Sequence, residues 1–399
     1  MKAMWNKVRL GDVCRVIPGY AFKSSDWQGT GIPVVKIKNI SGNNSVDLAS
    51  TDFVCERLLT PRLQKFVIKD GDILVAMTGA TAGKVGRVRT NRLLLLNQRV
   101  AKIDPIGADS NFIWSVVSSK EYQERFFYLA DGAAQPNMSG GQIEGVEISL
   151  PALPIQKRIA GILSAYDELI ENSQRRIKIL EAMVRTLYRE WFVHFRFPGH
   201  ESVPRVPSPL GEIPQGWEVK KLGEISENFD RFRKPLSKMQ RAKIQGNYPY
   251  YGAAKVFDYI NDFIFEGEYL LMAEDGSVIT TERAPVLQLV NDKFWPNNHT
   301  HVLLGRPPFS THFLYLGLSE VDISPYITGA AQPKITQENM NRIPFFCGPT
   351  QLHDEFNRLV ETPIRQAHII QRQIQNLRRT RDLLLPRLLT GQINVESLP

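Results

Sequence analysis

The pentapeptide Gly-Ala-Ala-Gln-Pro stands twice in this chain of 399 residues, at 132–136 and at 329–333. A frame that recurs has to be built twice from the same packing, so this repeat limits the fold more than any single motif. The flanks repeat as well. Trp5 opens W-N-K-V-R-L-G-D-V, and Trp217 opens W-E-V-K-K-L-G-E-I. Gly71-Asp72-Ile73-Leu74 matches Gly267-Glu268-Tyr269-Leu270, and each leads through an apolar run to a glycine loop. Beyond the pentapeptides, apolar residues fall at equal offsets: Ile143, Val146 and Ile148 in one copy, Met340, Ile343 and Phe345 in the other. Pro154-Ile155-Gln156 and Pro349-Thr350-Gln351 follow. The distance from Trp to pentapeptide differs, 127 residues against 112, and the sequence between the anchors has diverged. Two copies of one frame thus carry different middles.

A long helical pattern follows each copy. Positions 155, 159, 162, 166, 169, 173, 176, 180, 183 and 187 step alternately by four and three, and eight of the ten are apolar. Ile155, Ile159, Ile162, Tyr166, Leu169, Leu180 and Leu187 form a heptad seam. Pro154 suits the first helical turn, where its missing N–H costs nothing. The helix is predicted to run to about Phe197, where Pro198 and Gly199 stop it, a span of roughly 60 Å at 1.5 Å per residue. The second pattern runs through Leu352, Phe356, Leu359, Ile370, Ile374, Leu377, Leu384 and Leu388. Pro363 falls inside it and predicts a kink or break near Thr362; Pro386, ahead of Gly391, predicts another stop. Two long, narrow seams most simply pack on each other as an antiparallel coiled coil. The alternative is that each is a core helix of its own domain.

The expected fold class is therefore α+β: two globular domains of mixed α and β structure, each followed by a long helix, in a pseudo-twofold tandem repeat. The expected boundaries are 1–153 for the first domain and 154–197 for its helix. A stiff linker of five prolines follows at 198–216, then the second domain at 217–348 and the second helix with its tail at 349–399. A hydrophobic share of 43% supports real cores. The longest apolar runs, such as Leu93–Leu96, are too short to cross a membrane, and Met1 to Leu10 does not read as a secretory signal. Cys14, Cys55 and Cys347 are too few and too scattered for a disulfide framework or a CxxC metal site, which fits a reducing cytoplasm.

The net charge of +8 says less than its distribution. From Ile73 to Ile103 there are six basic residues (Lys84, Arg87, Arg89, Arg92, Arg99, Lys102) and no acid. From Arg231 to Phe257 there are seven (Arg231, Arg233, Lys234, Lys238, Arg241, Lys243, Lys255), again with no acid. Segment 198–348 as a whole carries 15 basic and 17 acidic residues, so its basic cluster is charge concentrated locally. That is what a polyanion-binding face requires, although a solvated basic face has the same composition. Thr78 and Gly79 open a glycine loop beside the first cluster. Tyr248-Pro-Tyr250-Tyr251-Gly252 follows the second, where aromatics beside cations suit either base stacking or plain packing.

Catalytic motifs are missing. Gly79-Ala-Thr-Ala-Gly83-Lys84-Val85 resembles a phosphate loop, but Thr78 stands where that loop needs glycine and Val85 where it needs Ser or Thr. The glycines could still bring backbone close to a nucleic acid, with Lys84, Arg87 and Arg89 meeting phosphates. His299 and His301 would share one side of a strand, but no carboxylate or Cys stands nearby at ligand spacing, and hydrogen bonding at a strand end is the simpler reading. There is no G-x-S-x-G, no H-E-x-x-H, and no N-P-P-Y or D-P-P-Y.

Over its whole length the chain resembles the specificity (S) subunits of type I restriction–modification enzymes. The resemblance rests on the twin W-x-x-x-x-L-G-[DE]-[VI] openings, D-G-D-I-L-V and E-G-E-Y-L-L, both G-A-A-Q-P motifs, and the Pro-x-Gln leads into long helices. Pro235-Leu-Ser-Lys-Met-Gln-Arg241, Pro249-Tyr-Tyr-Gly252 and Asn297-Asn-His299 look like a recurrent target recognition domain of that family. The resemblance implies that each globular copy reads one half of a split site in double-stranded DNA. It also implies that the helices fix the spacer between the halves and dock two modification subunits. Those subunits would bring S-adenosylmethionine and methylate adenine. Restriction subunits would add an ATP- and magnesium-dependent nuclease, and this chain itself would hold no cofactor, no metal and no catalytic residue.

Three readings compete: such a DNA-recognition subunit, either of a type I enzyme or of a fused nuclease–methylase; an enzyme with scattered motifs; and a coiled-coil adaptor that binds only protein. The last predicts no cost from neutralising Arg231, Arg233 and Lys234.

Overall fold

The computed structural model describes residues 5–40, 42, 44–130, 137–329 and 332–395. The first Gly-Ala-Ala-Gln-Pro lies outside the described residues, as do Ala330 and Ala331 of the second. The chain divides into two compact units, Met1–Gln174 with Arg372–Pro399, and Arg175–Gln371.

The repeated sequence frame becomes a repeated topology. In the first unit an antiparallel sheet has the strand order Cys14–Pro18, Val100–Pro105, Ile73–Ala76, Val85–Arg87. In the second, Ser226–Asn228, Thr300–Gly305, Phe265–Ala273 and Leu287–Pro296 are antiparallel neighbours in the same order. Helix Ser110–Val117 or Thr311–Leu318 follows, N-capped by Asp109 or Ser310. The apolar triplets after the pentapeptides then form matching strands: Glu147–Leu150 pairs with Asn6–Arg9, and Pro344–Cys347 pairs with Glu218–Lys221.

Each letter of the Leu-Gly-[DE]-[VI] motif has a physical role. Leu10 and Leu222 are fully buried, and their N–H groups donate to Val146 and Ile343 carbonyls at 2.8 Å. A side chain at Gly11 would run into Glu144, and one at Gly223 into Asn341, so glycine lets two short helices touch. Asp12 and Glu224 accept from the backbone N–H of Arg9 and Lys221. Val13 and Ile225 complete the core.

The inserts differ. The first unit adds a five-stranded sheet of short strands, ordered Trp27–Gln28, Asp52–Val54, Ile32–Val35, Leu94–Leu96, Val67–Ile68. The second extends its main sheet to six strands with the hairpin Gln245–Tyr251 and Val256–Ile260, the latter at the edge.

Both long helices exist, and their ends belong to the unit cores. The first runs Leu153–Tyr188 and closes in a π turn, Arg189–Val193. It stops short of the expected Phe197: the Arg196 N–H donates back to the Glu190 carbonyl, and Phe195 takes a left-handed φ of 57°. The second helix runs unbroken over Thr350–Leu389. This corrects the expected break at Pro363 and the expected stop at Pro386. An interior proline costs about 3 kcal/mol; here the helix is held by Phe356, Val360 and Ile364, which pack into the second core around it. Beyond Leu389, Gly391 with φ 66° ends the helix.

The helices pair antiparallel. In the first unit Arg381 bonds Asp167, and Arg158, nearer the first helix's start, bonds the Val395 carbonyl. In the second unit Tyr188 and Trp191 meet Phe356. The seam is offset from the expected one. Ile159 is buried, and Ile155, Ile162, Tyr166, Leu180 and Leu187 are half-buried, but Leu169 is 53% exposed and Met183 56%. The buried face runs instead through Leu163, Ile170, Val184 and Tyr188. On the second helix Phe356, Ile370 and Ile374 are buried and Leu352, Leu377 and Leu384 half-buried. Leu359 is exposed beside buried Val360. A strict 3.5-residue period drifts around a helix of 3.6 residues per turn by about 20° per heptad, which turns the contact progressively toward the neighbouring residue.

The proline-rich stretch 198–216 is not a bare linker. It contains the hairpin Arg205–Ser208 and Gly211–Pro214, and Phe197, Ile213 and Trp217 are buried in the second core.

Candidate nucleic-acid interface

The second basic cluster sorts itself by direction. Arg233 faces inward. Its guanidinium bonds the Glu274 carboxylate at 2.7 Å and the Thr300 carbonyl at 2.8 Å, and stands 3.5 Å from Asp230. Arg241 is also internal, 8% exposed, bonded to Asp258 at 2.9 Å and to the Leu236 carbonyl at 2.6 Å. These two, expected from sequence as DNA contacts, are placed by the structure as framework cations with internal partners and not as free surface charge. Arg231, Lys234, Lys238, Lys243 and Lys255 point outward and have no carboxylate partner among the described residues. Lys238 and Lys243 begin and end the short helix Lys238–Lys243, which Ser237 caps.

The carboxylates that hold the inward cations leave no signal in the spacing of the sequence. Asp230, Glu274 and His301 bring ligand atoms within 4.8 Å of one another. The His301 ring is 1% exposed, with Nδ1 2.5 Å from Asp230 and Nε2 2.9 Å from the Ile335 carbonyl. Burial alone would raise the Asp230 carboxyl; the hydrogen bond from His301 and the neighbouring cations hold it below its ordinary value. Glu274 is held low in the same way, against burial, by Arg233, His301 and Lys334. With both His301 nitrogens engaged and two cations already on the carboxylates, the cluster is a closed ion network that offers no open position to a metal. His299 is separate, half-exposed and 2.8 Å from Asp275. The network ties the basic segment at 230–234 to Lys334 and Ile335, next to the second pentapeptide.

The tyrosines are packing residues. Tyr250 is 2% exposed, and its hydroxyl accepts from the Leu236 N–H at 3.0 Å. Tyr251 is half-buried, edge-on to Phe294.

The first cluster divides likewise. Arg87 bonds the Gly71 carbonyl and the Asn111 side chain and lies over the Trp114 ring; burial pulls its guanidinium below its ordinary value. Lys102 sits between Asp72 and Asp104. Arg89 reaches Asp70 only at 3.9 Å, while Arg92 and Arg99 are exposed without carboxylate partners among the described residues. Lys84, Arg87 and Arg89 share a cleft of about 1450 Å³ with Lys120, Arg125 and Arg381. Gly83 serves packing: a Cβ there would lie 2.6 Å from the Phe127 nitrogen of helix Lys120–Leu129. Thr78 is half-buried and Gly79, with φ 74°, has open space before it. Gly276 has the matching φ of 76° in the other copy.

Comparison with known proteins gives one consistent answer. The family model described as "Type I restriction modification DNA specificity domain" matches residues 3–182 and 214–349. The MjaIX specificity subunit of Methanocaldococcus jannaschii is 25% identical over 99% of this chain and 94% of its own. The putative specificity subunit S.HindORF215P of Haemophilus influenzae is 33% identical over 38% of this chain and 39% of its own. The crystal structure of a type I S subunit from M. genitalium shares the fold, with a TM-score of 0.59 at 16% identity over 96% of both chains.

Proposed function

The chain belongs to the type I restriction–modification DNA specificity family, and from that premise we propose that it is the DNA-reading subunit of such a complex, each unit contacting one half of a bipartite site. The observation that carries this reading is the outward set Arg231, Lys234, Lys238, Lys243 and Lys255, without carboxylate partners among the described residues while Arg233 and Arg241 are neutralised inside. Uncompensated exposed cations release counterions from phosphates and so supply affinity. Neutral side chains reaching base edges supply discrimination, about 1–3 kcal/mol for each good pair.

The partners are two modification subunits, with S-adenosylmethionine as methyl donor, and restriction subunits using ATP and magnesium. The paired helices dock the modification subunits and set the unread spacer, and the assembly works in the cytoplasm. Support for the docking role comes from the helices' exposed apolar residues, Leu169 and Met183 on the first and Leu359 and Leu383 on the second. Linking two half-site readers in one chain raises the effective concentration of the second reader once the first has bound.

The test uses the purified chain with its cognate modification subunit. The pair should bind a duplex carrying its methylated sequence and transfer labelled methyl groups to it. The chain alone should transfer none. Methyl transfer or strand cleavage by the isolated chain overturns the reading.

A further inference from the structure

Phe257 is 62% exposed on the edge strand Val256–Ile260 of the six-stranded sheet. The pairing there is irregular: Tyr250 faces Asp258 while the next residue, Tyr251, faces Val256, so Phe257 is the extra residue of a β-bulge. Neighbours along a strand ordinarily point to opposite faces. At this bulge Phe257 and Asp258 both meet Arg241, the ring at 5.1 Å from the guanidinium carbon and the carboxylate at 2.9 Å. The guanidinium also covers Tyr250, at 5.0 Å, and is fixed by the Leu236 carbonyl. Phe257 is therefore held from one side by a buried, three-way anchored cation and open on the other.

A ring exposed alone on a surface is ordinary, but one fixed in place at a sheet edge is a ready-made contact point for a partner. The surroundings select one. Lys255 stands two residues before the ring, and Lys238 and Lys243 bound the helix that carries Arg241. None of these three has a carboxylate partner among the described residues. An apolar ring in an unpaired basic surround suits a base above a phosphate backbone. Bulges serve to re-aim a side chain in this way.

We propose that Phe257 is a stacking platform that receives an unstacked base of the DNA half-site read by the second unit. The inference rests on the DNA-reading role proposed above and adds a residue and a mode of recognition to it. Because Arg241 fixes the ring beforehand, little rotamer freedom is given up on binding.

The test assembles the modification complex with F257A, F257L and F257Y chains. The probe is a duplex carrying the sequence methylated in cells that express the chain with its modification subunit, with single second-half adenines replaced by 2-aminopurine, which brightens when unstacked. F257A should weaken binding about 10-fold, the scale of one aromatic–base stack. It should brighten one probe position and leave the thermal midpoint unchanged. F257Y should restore affinity and quenching, and F257L should restore neither. A wild-type complex that binds while F257A binds equally, or full rescue by F257L, overturns the inference alone. A wild-type complex that ignores the duplex overturns the DNA-reading proposal and the inference with it.

Discussion

Arg381 and Asp167, one on each long helix, meet at 2.6 Å, each about one-quarter to one-third exposed. Burial would pull the Arg381 guanidinium down, but the Asp167 and Asp382 carboxylates hold it above its ordinary value. The pair fixes the antiparallel register of the helices within the first unit. A double-mutant cycle over R381A and D167A should give a coupling of about 1 kcal/mol, between exposed and buried ion pairs. Urea denaturation measures it, and additive single-mutant effects would show that the pair sets no register.

The two classes of cation in the second cluster should separate cleanly. Replacing Arg231, Lys234, Lys238 and Lys243 by Ala should leave the melting temperature unchanged and weaken DNA binding. It should also flatten the dependence of log K on log salt by about 0.9 for each phosphate that is no longer neutralised. R233A and R241A should instead destabilise the second unit by about 1–3 kcal/mol, since each removes a largely buried cation and leaves the carbonyl and carboxylate acceptors it served short of a donor. Calorimetry and salt-titrated binding read the two effects independently. A protein-only adaptor predicts no binding change from the first set.

His353 makes the second unit sensitive to mild acid. Its ring is fully buried between Phe192, Phe309 and Phe313, both nitrogens lack hydrogen-bond partners among the described residues, and burial lowers its pKa to about 4. Unfolded histidine titrates near 6.5. Between those values the unfolded chain takes up a proton that the folded chain refuses. The stabilisation is therefore complete above pH 6.5 and is lost as pH falls toward 4. From pH 7 to 5 the loss is roughly 2 kcal/mol by linkage. Urea unfolding should show this fall in the wild type and not in H353L, which should also be more stable at pH 5.

Pro363 should be a net cost that packing tolerates. P363A restores an N–H donor to the Leu359 carbonyl inside the continuous helix Thr350–Leu389. Stability should rise by about 2 kcal/mol, the helix term less the entropy that proline removes from the unfolded chain. A drop in melting temperature would mean that the proline shapes the helix.

The frame is legible in the residues because its constraints are local. Leu10-Gly11-Asp12-Val13 and its twin each fill one short packed turn, and the order of anchors matches the order of strands. The helices are legible from period alone. Pro363 misleads because local propensity carries no knowledge of the packing of Phe356, Val360 and Ile364 that outweighs it. The direction of charges is hidden for a similar reason. Arg233 and Arg241 are indistinguishable in sequence from Arg231 and Lys238, and they turn inward because Glu274, just past strand Phe265–Ala273, and Asp258, on the edge strand, are brought to them by the fold. The seam slips from Leu169 to Ile170 because both are apolar and the sequence does not show how far the helix drifts. The bulge at Phe257 leaves no mark short of the strand pairing itself.

At the centre of this proposed function, one chain reads two half-sites, one per globular unit. Methylome sequencing of cells expressing the chain with its modification subunit tests this most directly, alongside a variant whose segment 229–264 is exchanged for that of a relative. The predicted result is a split motif of two short specified halves around an unspecified spacer, with the exchange changing one half and leaving the other intact. A single continuous motif, or an exchange that alters both halves together, would contradict it.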